Sequence, residues 1–154
     1  KAGLDAVAGM VEVLEERVIK GGVPFLGVCV GMQLLASEGR EKTVTQGLGW
    51  IPGAVEKIVP ADPALKIPHM GWNRVRVTPG NPLFDSVADE SYFYFVHSYY
   101  VVPEDPAIIA TTTCYGIDFA SGIHQENIHA FQFHPEKSQR LGLTMLKNFS
   151  RLHH

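Results

Sequence analysis

The feature that most constrains this chain is an apolar run, Val23 to Cys29, that ends in the pentapeptide Gly27-Val28-Cys29-Val30-Gly31. The run carries β-branched and aromatic members and is long enough for a strand but too short for a helix. Gly31 through Glu38 then reads as a helix that stops at Gly39. A strand apolar on both faces that turns sharply into a helix suits a parallel sheet in an α/β layer architecture. Upstream, Leu4, Val7, Val11, Leu14 and Val18 recur at three- and four-residue steps, which predicts one helix with a single apolar face, stopped by Gly21-Gly22.

Beyond the elbow the pattern changes. Trp50 to Val59, Arg74 to Thr78, Tyr92 to Val102, Ala107 to Cys114, Ile117 to His124 and Asn127 to Phe133 are strand-like runs broken by proline and glycine. Ser138 offers an N-cap to a closing helix with Leu141, Met145 and Phe149 four apart on one face. Nothing divides the chain, so residues 1–154 read as one domain. A doubly wound sheet rarely opens on a helix without a strand before it, and the chain lacks an initiator Met. The expectation is therefore a domain whose N-terminal part lies outside this sequence.

Composition excludes more than it suggests. With 45% hydrophobic residues and a net charge of −3, the chain gives no electrostatic reason to expect nucleic acid or an anionic membrane as partner. No apolar run approaches the roughly 20 residues that span a bilayer. Only two cysteines, Cys29 and Cys114, point to a reducing cytoplasm rather than a disulfide scaffold. No histidine pair has the spacing of a zinc site, so no metal and no cofactor is expected, and His153 and His154 read as the remnant of a tag.

Cys29 sits where a nucleophile elbow would hold it. A turn this tight strains the backbone of its central residue, and flanking glycines let neighbouring backbone approach. The sulfur would lie over a helix N-terminus that favours the thiolate, with the Val30 N–H as one oxyanion donor. The same pentapeptide also describes a buried structural cysteine at a strand end. Cys114, in Thr-Thr-Thr-Cys-Tyr without flanking glycines, reads as packed or incidental.

A cysteine nucleophile needs a base, and the base needs an orienting group. His134-Pro135-Glu136 supplies both at the end of an extended run, with Pro135 holding the backbone extended. By itself the stretch reads more readily as a strand end with a solvated His and Glu. Both signals close strands that lead into helices, so in a parallel sheet they emerge on one carboxyl edge.

Gly27 to Leu35 resembles the cysteine elbow of class I glutamine amidotransferases, His134-Pro135-Glu136 resembles their triad closure, and His97-Ser98-Tyr99 resembles the segment that holds the amino-acid end of glutamine. The resemblance implies their flavodoxin-like three-layer fold with a mixed, mostly parallel central sheet. It implies that Cys29 attacks the carboxamide, His134 shuttles the proton, Glu136 orients it, and Gly31, Gln33, Ser98 and Tyr99 bind glutamine. Gly47 to Gly53, Pro68 to Asn73 and Tyr94 to Tyr99 are similar to the glutaminase subunit of imidazole glycerol phosphate synthase, an enzyme of histidine biosynthesis. That family passes ammonia to a (β/α)8-barrel cyclase subunit in a heterodimer, and the likeness implies that Trp72, Asn73, Tyr94 and Lys137 face the partner. The His69 to Asn73 stretch argues against the glutaminase of another synthase. The family's Pro-Gly-x-Gly loop, which completes the oxyanion hole, has no counterpart upstream of Leu4, and this keeps an inactive glutaminase-like binding module in view as an alternative.

Overall fold

A computed structural model describes residues 1–152; His153 and His154, read above as a tag remnant, lie outside the described residues. The N-terminal helix is not continuous. It runs as α1 (Ala2–Asp5), breaks at Gly9 with φ +76°, and resumes as α2 (Met10–Leu14), which widens into a π-helical stretch over Glu15–Lys20. The expected apolar face survives in part: Val18 is buried, Leu4, Val11 and Leu14 are half-buried, and Val7 is exposed. Glycine in the left-handed region is the cause of the break, since an uninterrupted helix allows no such dihedral.

Strand β1 (Phe25–Val28) and helix α3 (Val30–Leu34) follow as expected, but α3 is short. The expected helix over residues 31–38 gives way after Leu34 to β2 (Ala36–Arg40), which pairs in parallel with β4 (Ile51–Lys57) and antiparallel with β3 (Val44–Gln46). The backbone explains the change. The carbonyls of Leu34 and Leu35 accept from Leu48 N–H at 2.7 Å and Ile51 N–H at 3.0 Å instead of from the next helical turn. Sheet pairing thus overrides the helical pattern of the side chains.

The rest of the chain is β5 (His69–Val77), β6 (Ser91–His97), β7 (Tyr99–Pro103), β8 (Ile109–Cys114), β9 (Asp118–Gln125), β10 (Ile128–Phe131) and α4 (Gln139–Phe149). They complete a six-stranded sheet ordered β1-β10-β9-β8-β5-β6 and a four-stranded sheet ordered β3-β2-β4-β7. The sheets are mixed, as expected, yet among the described residues the parallel pairs are β1–β10 and β2–β4, and the other pairings are antiparallel. A parallel majority is not what these strands form. Proline- and glycine-broken runs with no α-helix between them return as antiparallel neighbours.

Two apolar clusters hold the layers together. One gathers Met32, Leu35, Ile51, Val55, Val101 and Ile128 between α3 and the four-stranded sheet. The other gathers Phe93, Phe95, Phe119, Phe131, Phe133 and Met145, with Leu141 and Phe149 of α4 against it, so the face read for the closing helix is the buried one. Ser138 does precede α4, but its hydroxyl donates to the His134 carbonyl and accepts from Tyr94 N–H rather than capping the helix. That hydroxyl ties α4, β6 and the His134 turn into one unit.

Candidate active site

The parallel register of β1 and β10 places Val28 opposite Phe131, and Cys29 N–H donates to the Phe131 carbonyl at 2.8 Å. Both strands end at this edge, so Cys29 and the His134 turn emerge side by side, as the sequence implied. Cys29 has φ +53° and ψ −108°, a costly conformation for a residue with a Cβ and the mark of an elbow. Gly27 makes it possible, since a Cβ there would stand 3.0 Å from the Gly31 backbone and 3.1 Å from Ala130 Cβ. Gly31 differs: a Cβ at that position would meet open space, so chain packing does not require this glycine.

His134 Nδ1 faces Glu136 Oε1 at 2.7 Å, so the carboxylate holds the Nδ1–H tautomer. Nε2 is buried without a hydrogen-bond partner. An imidazole held through Nδ1 by a carboxylate, with its other nitrogen free of partners, has the geometry of a general base. The turn is held in place by His134 N–H donating to the Tyr94 carbonyl at 2.9 Å and by the Ser138 hydroxyl.

Burial pushes the Cys29 thiol up, and nearby Glu136 adds to the effect; the Val30 N–H, the Gln132 side chain and Lys137 oppose it without reversing it. This corrects the expectation that the helix N-terminus would favour a thiolate at rest. α3 has one turn and little dipole to offer, whereas the half-buried sulfur is partly withdrawn from water. The thiol therefore keeps its proton until a base removes it. That assigns a task to His134.

Gln33 lies beside Cys29 with its Nε2 donating to the Tyr99 carbonyl at 3.1 Å and to Gln132 Oε1 at 3.1 Å. A cavity of about 190 Å³ opens next to Val30, Gln33, Leu34, Gly47 and Tyr99. A larger one of about 460 Å³ lies at the opposite ends of the strands, around Trp50 and Asn127, away from the sulfur. Ser98 is the bend between β6 and β7, its carbonyl accepting from Ile58 N–H at 2.9 Å.

Trp72 and Tyr94 are register partners on β5 and β6, with rings edge-to-face at 5.9 Å. Trp72 is 47% exposed, and Lys137 is exposed on the turn that follows His134. Asn73 does not join them. Strand alternation turns it to the other face, where its amide binds His69 Nε2 and the Cys114 carbonyl. Cys114 itself is exposed rather than packed, and both cysteines are free.

Sequence reasoning gave no individual role to Gln132, His69 or His97. Gln132 is fully buried and points its Nε2 at Cys29 Sγ, 3.6 Å away. The signal was present, since a glutamine inside Phe131-Gln132-Phe133 needs a buried partner. Among the described residues no cluster of His, Cys, Asp and Glu could hold a metal ion, and no helix is long and apolar enough to cross a membrane.

A strained cysteine and an oriented histidine at one edge of a mixed α/β sheet are the parts of a cysteine-dependent hydrolase. The family described as glutamine amidotransferase class-I matches residues 3–152. The imidazole glycerol phosphate synthase subunit HisH of Brucella suis is 49% identical over 152 residues, covering 97% of this chain and 70% of that protein. HisH of Agrobacterium fabrum is 49% identical over 153 residues, with 97% and 71% covered. Among solved structures, a glutamine amidotransferase of Thermotoga maritima superposes with a TM-score of 0.62 at 20% identity, covering 91% of this chain and 52% of that one, and speaks for the fold alone. The chain belongs to the class-I glutamine amidotransferases and, within them, to the HisH subunits of imidazole glycerol phosphate synthase.

Proposed function

We propose that this chain hydrolyses glutamine with Cys29 as nucleophile, His134 as general base and acid, and Glu136 as the group that orients it. His134 Nε2 takes the thiol proton as the sulfur attacks the carboxamide carbon. The Val30 N–H stabilises the oxyanion that forms. Collapse of the tetrahedral intermediate returns the proton from Nε2 to the leaving nitrogen, giving ammonia and a γ-glutamyl thioester. His134 then removes a proton from water, the hydroxide attacks the thioester carbon, and glutamate leaves as the thiol is restored. Glutamine enters through the cavity beside Val30 and Tyr99. Its amino-acid end rests on Ser98 and Tyr99, while bare Gly31 leaves room beside the sulfur.

Gln33 has a different part from the one its motif implies. Its amide is engaged by Tyr99 and Gln132, so it shapes the pocket wall more than it reaches for substrate. The ammonia goes to a (β/α)8-barrel cyclase subunit that makes imidazole glycerol phosphate and aminoimidazole carboxamide ribotide in histidine biosynthesis. The partner docks on the face carrying Trp72, Tyr94 and Lys137, which borders the catalytic turn through the Tyr94 backbone. Asn73 contributes from behind that face. Residues 1–152 belong to one amidotransferase domain that works in the cytoplasm without a cofactor.

The observation that carries the reading is the shared edge: a strained Cys29 beside a His134 whose Nδ1 is bound and whose Nε2 is free. It is tested by glutamate release from glutamine with and without the cyclase subunit and its ribonucleotide substrate, alongside Cys29→Ser. Release that vanishes in Cys29→Ser and rises with the partner supports both triad and pathway. No release in any mixture would favour a binding module that has kept the motif.

A further inference from the structure

The Tyr99 carbonyl can only accept hydrogen bonds, and it receives two from inside the protein. His97 Nδ1 stands 2.8 Å from it and Gln33 Nε2 3.1 Å. Each bond fixes a proton or an amide orientation, and the consequences run outward along two branches. On the first, Gln33 Nε2 also donates to Gln132 Oε1, which leaves Gln132 Nε2 as the atom facing Cys29 Sγ at 3.6 Å. On the second, His97 keeps its proton on Nδ1, so its Nε2 accepts from His69 Nδ1 at 2.8 Å. His69 Nε2 then accepts from Asn73 Nδ2 at 3.1 Å, and the same amide nitrogen donates to the Cys114 carbonyl at 2.9 Å. One carbonyl therefore settles every tautomer and flip between Asn73 and the nucleophile.

The surroundings keep that arrangement rigid. His69, His97 and Gln132 are buried, and a half-satisfied network in the interior is costly. His69 is stacked between Phe95, with centroids 4.8 Å apart, and Tyr115, at 4.0 Å, so its ring cannot turn over freely. Burial lowers both imidazoles to about 4, which leaves them neutral and able to hold one donor and one acceptor each. A plainer role exists as well: His69 and His97 face each other across β5 and β6 and could only staple the two strands.

We propose that His97 and His69 are positioning residues for the nucleophile, holding the Tyr99 carbonyl so that Gln33 keeps the Gln132 N–H aimed at the Cys29 sulfur. An N–H aimed at sulfur favours the thiolate and offsets part of the effect of burial on this thiol. The inference rests on the reading of Cys29 as the glutaminase nucleophile. Glu136 and Lys137 act on the same sulfur with opposite sign, and neither they nor His134 are changed in the variants below.

The test is the rate at which iodoacetamide alkylates Cys29 as a function of pH, followed by mass spectrometry of the Cys29 peptide in the whole protein without glutamine. His97→Leu should move the midpoint up by about one pH unit and slow alkylation near neutral pH about tenfold, the worth of one hydrogen bond to a charged group. His97→Asn, which keeps an N–H where Nδ1–H was, should restore the rate to within about twofold of the parent. In a Gln132→Leu background, His97→Leu should add nothing. Where leucine prevents folding, His97→Gln keeps a partner for His69 but no donor at the Tyr99 carbonyl, and should slow alkylation as leucine does. Equal slowing with and without Gln132, or an unshifted profile, would overturn the inference in favour of the strand staple. Because alkylation needs no glutamine, a relay that behaves as expected in a protein releasing no glutamate upholds this inference and refutes the glutaminase reading alone.

Discussion

Gly142→Ala sets helix propensity against packing at a position that supports the catalytic turn. Gly142 lies in α4, and in an exposed helix alanine would be favoured over glycine by about 1 kcal/mol. Here the added Cβ overlaps the carbonyl of Pro135, the residue between His134 and Glu136. The obstacle is backbone, and it cannot retreat easily. Ser138 N–H donates to that same carbonyl, and the Ser138 hydroxyl ties His134 to Tyr94. Overpacking of this kind costs about 1–3 kcal/mol, and the fixed turn argues for the upper end. The net expectation is a loss of about 2 kcal/mol, or roughly 4–8 °C in Tm for a chain of this size. Thermal unfolding followed by circular dichroism measures it. Relief of the overlap also displaces the His134–Glu136 turn, so kcat should fall by up to about 10²-fold in the molecules that remain folded. A Tm that rises by a few degrees would show that propensity decides, and would refute the close approach of α4 to the turn.

Buried His69, His97 and His129 each fall from 6.5 to about 4 in the folded protein, so the unfolded chain takes up their protons first. Stability should therefore be level above pH 7 and fall as pH drops from about 6.5 toward 4, by roughly 1 kcal/mol per pH unit for each histidine, measurable by urea unfolding at stepped pH. Flat stability across that window would contradict their burial as neutral groups. Glu136→Gln should lower kcat by about 10²-fold with little change in KM, less than for a fully buried orienting carboxylate because the Glu136 side chain is 48% exposed. Steady-state glutamate release reads both constants. Trp72→Ala should weaken affinity for the cyclase subunit by about 2 kcal/mol, or roughly 30-fold in Kd by calorimetry, if Trp72 anchors that interface.

Local signals were legible where a single short stretch determined its own geometry. The run ending at Cys29 is a strand because its side chains suit burial on both faces, and the glycine at 27 is needed because a Cβ there has no room. Leu141, Met145 and Phe149 read correctly as the buried face of α4 because their spacing alone fixes it. The stretch from Ala36 to Arg40 could not be read this way. Its side chains suit a helix, and only pairing with β3 and β4 makes it a strand. The three-part N-terminal helix hid for a related reason, since Gly9 is compatible with both a helix and a left-handed break. At the site, chemistry and spacing made Cys29, His134 and Glu136 candidates, and the family resemblance singled them out. Gln132, His69 and His97 were not singled out, because their roles exist only once four separate segments have come together.

Cys29 should become covalently bonded to the γ-carbonyl of glutamine, with His134 needed for that bond to form. Rapid quenching of the parent and of His134→Asn after mixing with glutamine, followed by mass spectrometry of the Cys29 peptide, examines this directly. A transient γ-glutamyl thioester is expected on Cys29 in the parent, absent from Cys29→Ser and formed far more slowly in His134→Asn. Glutamate released at the parental rate by Cys29→Ser, with no adduct on any peptide, would contradict it.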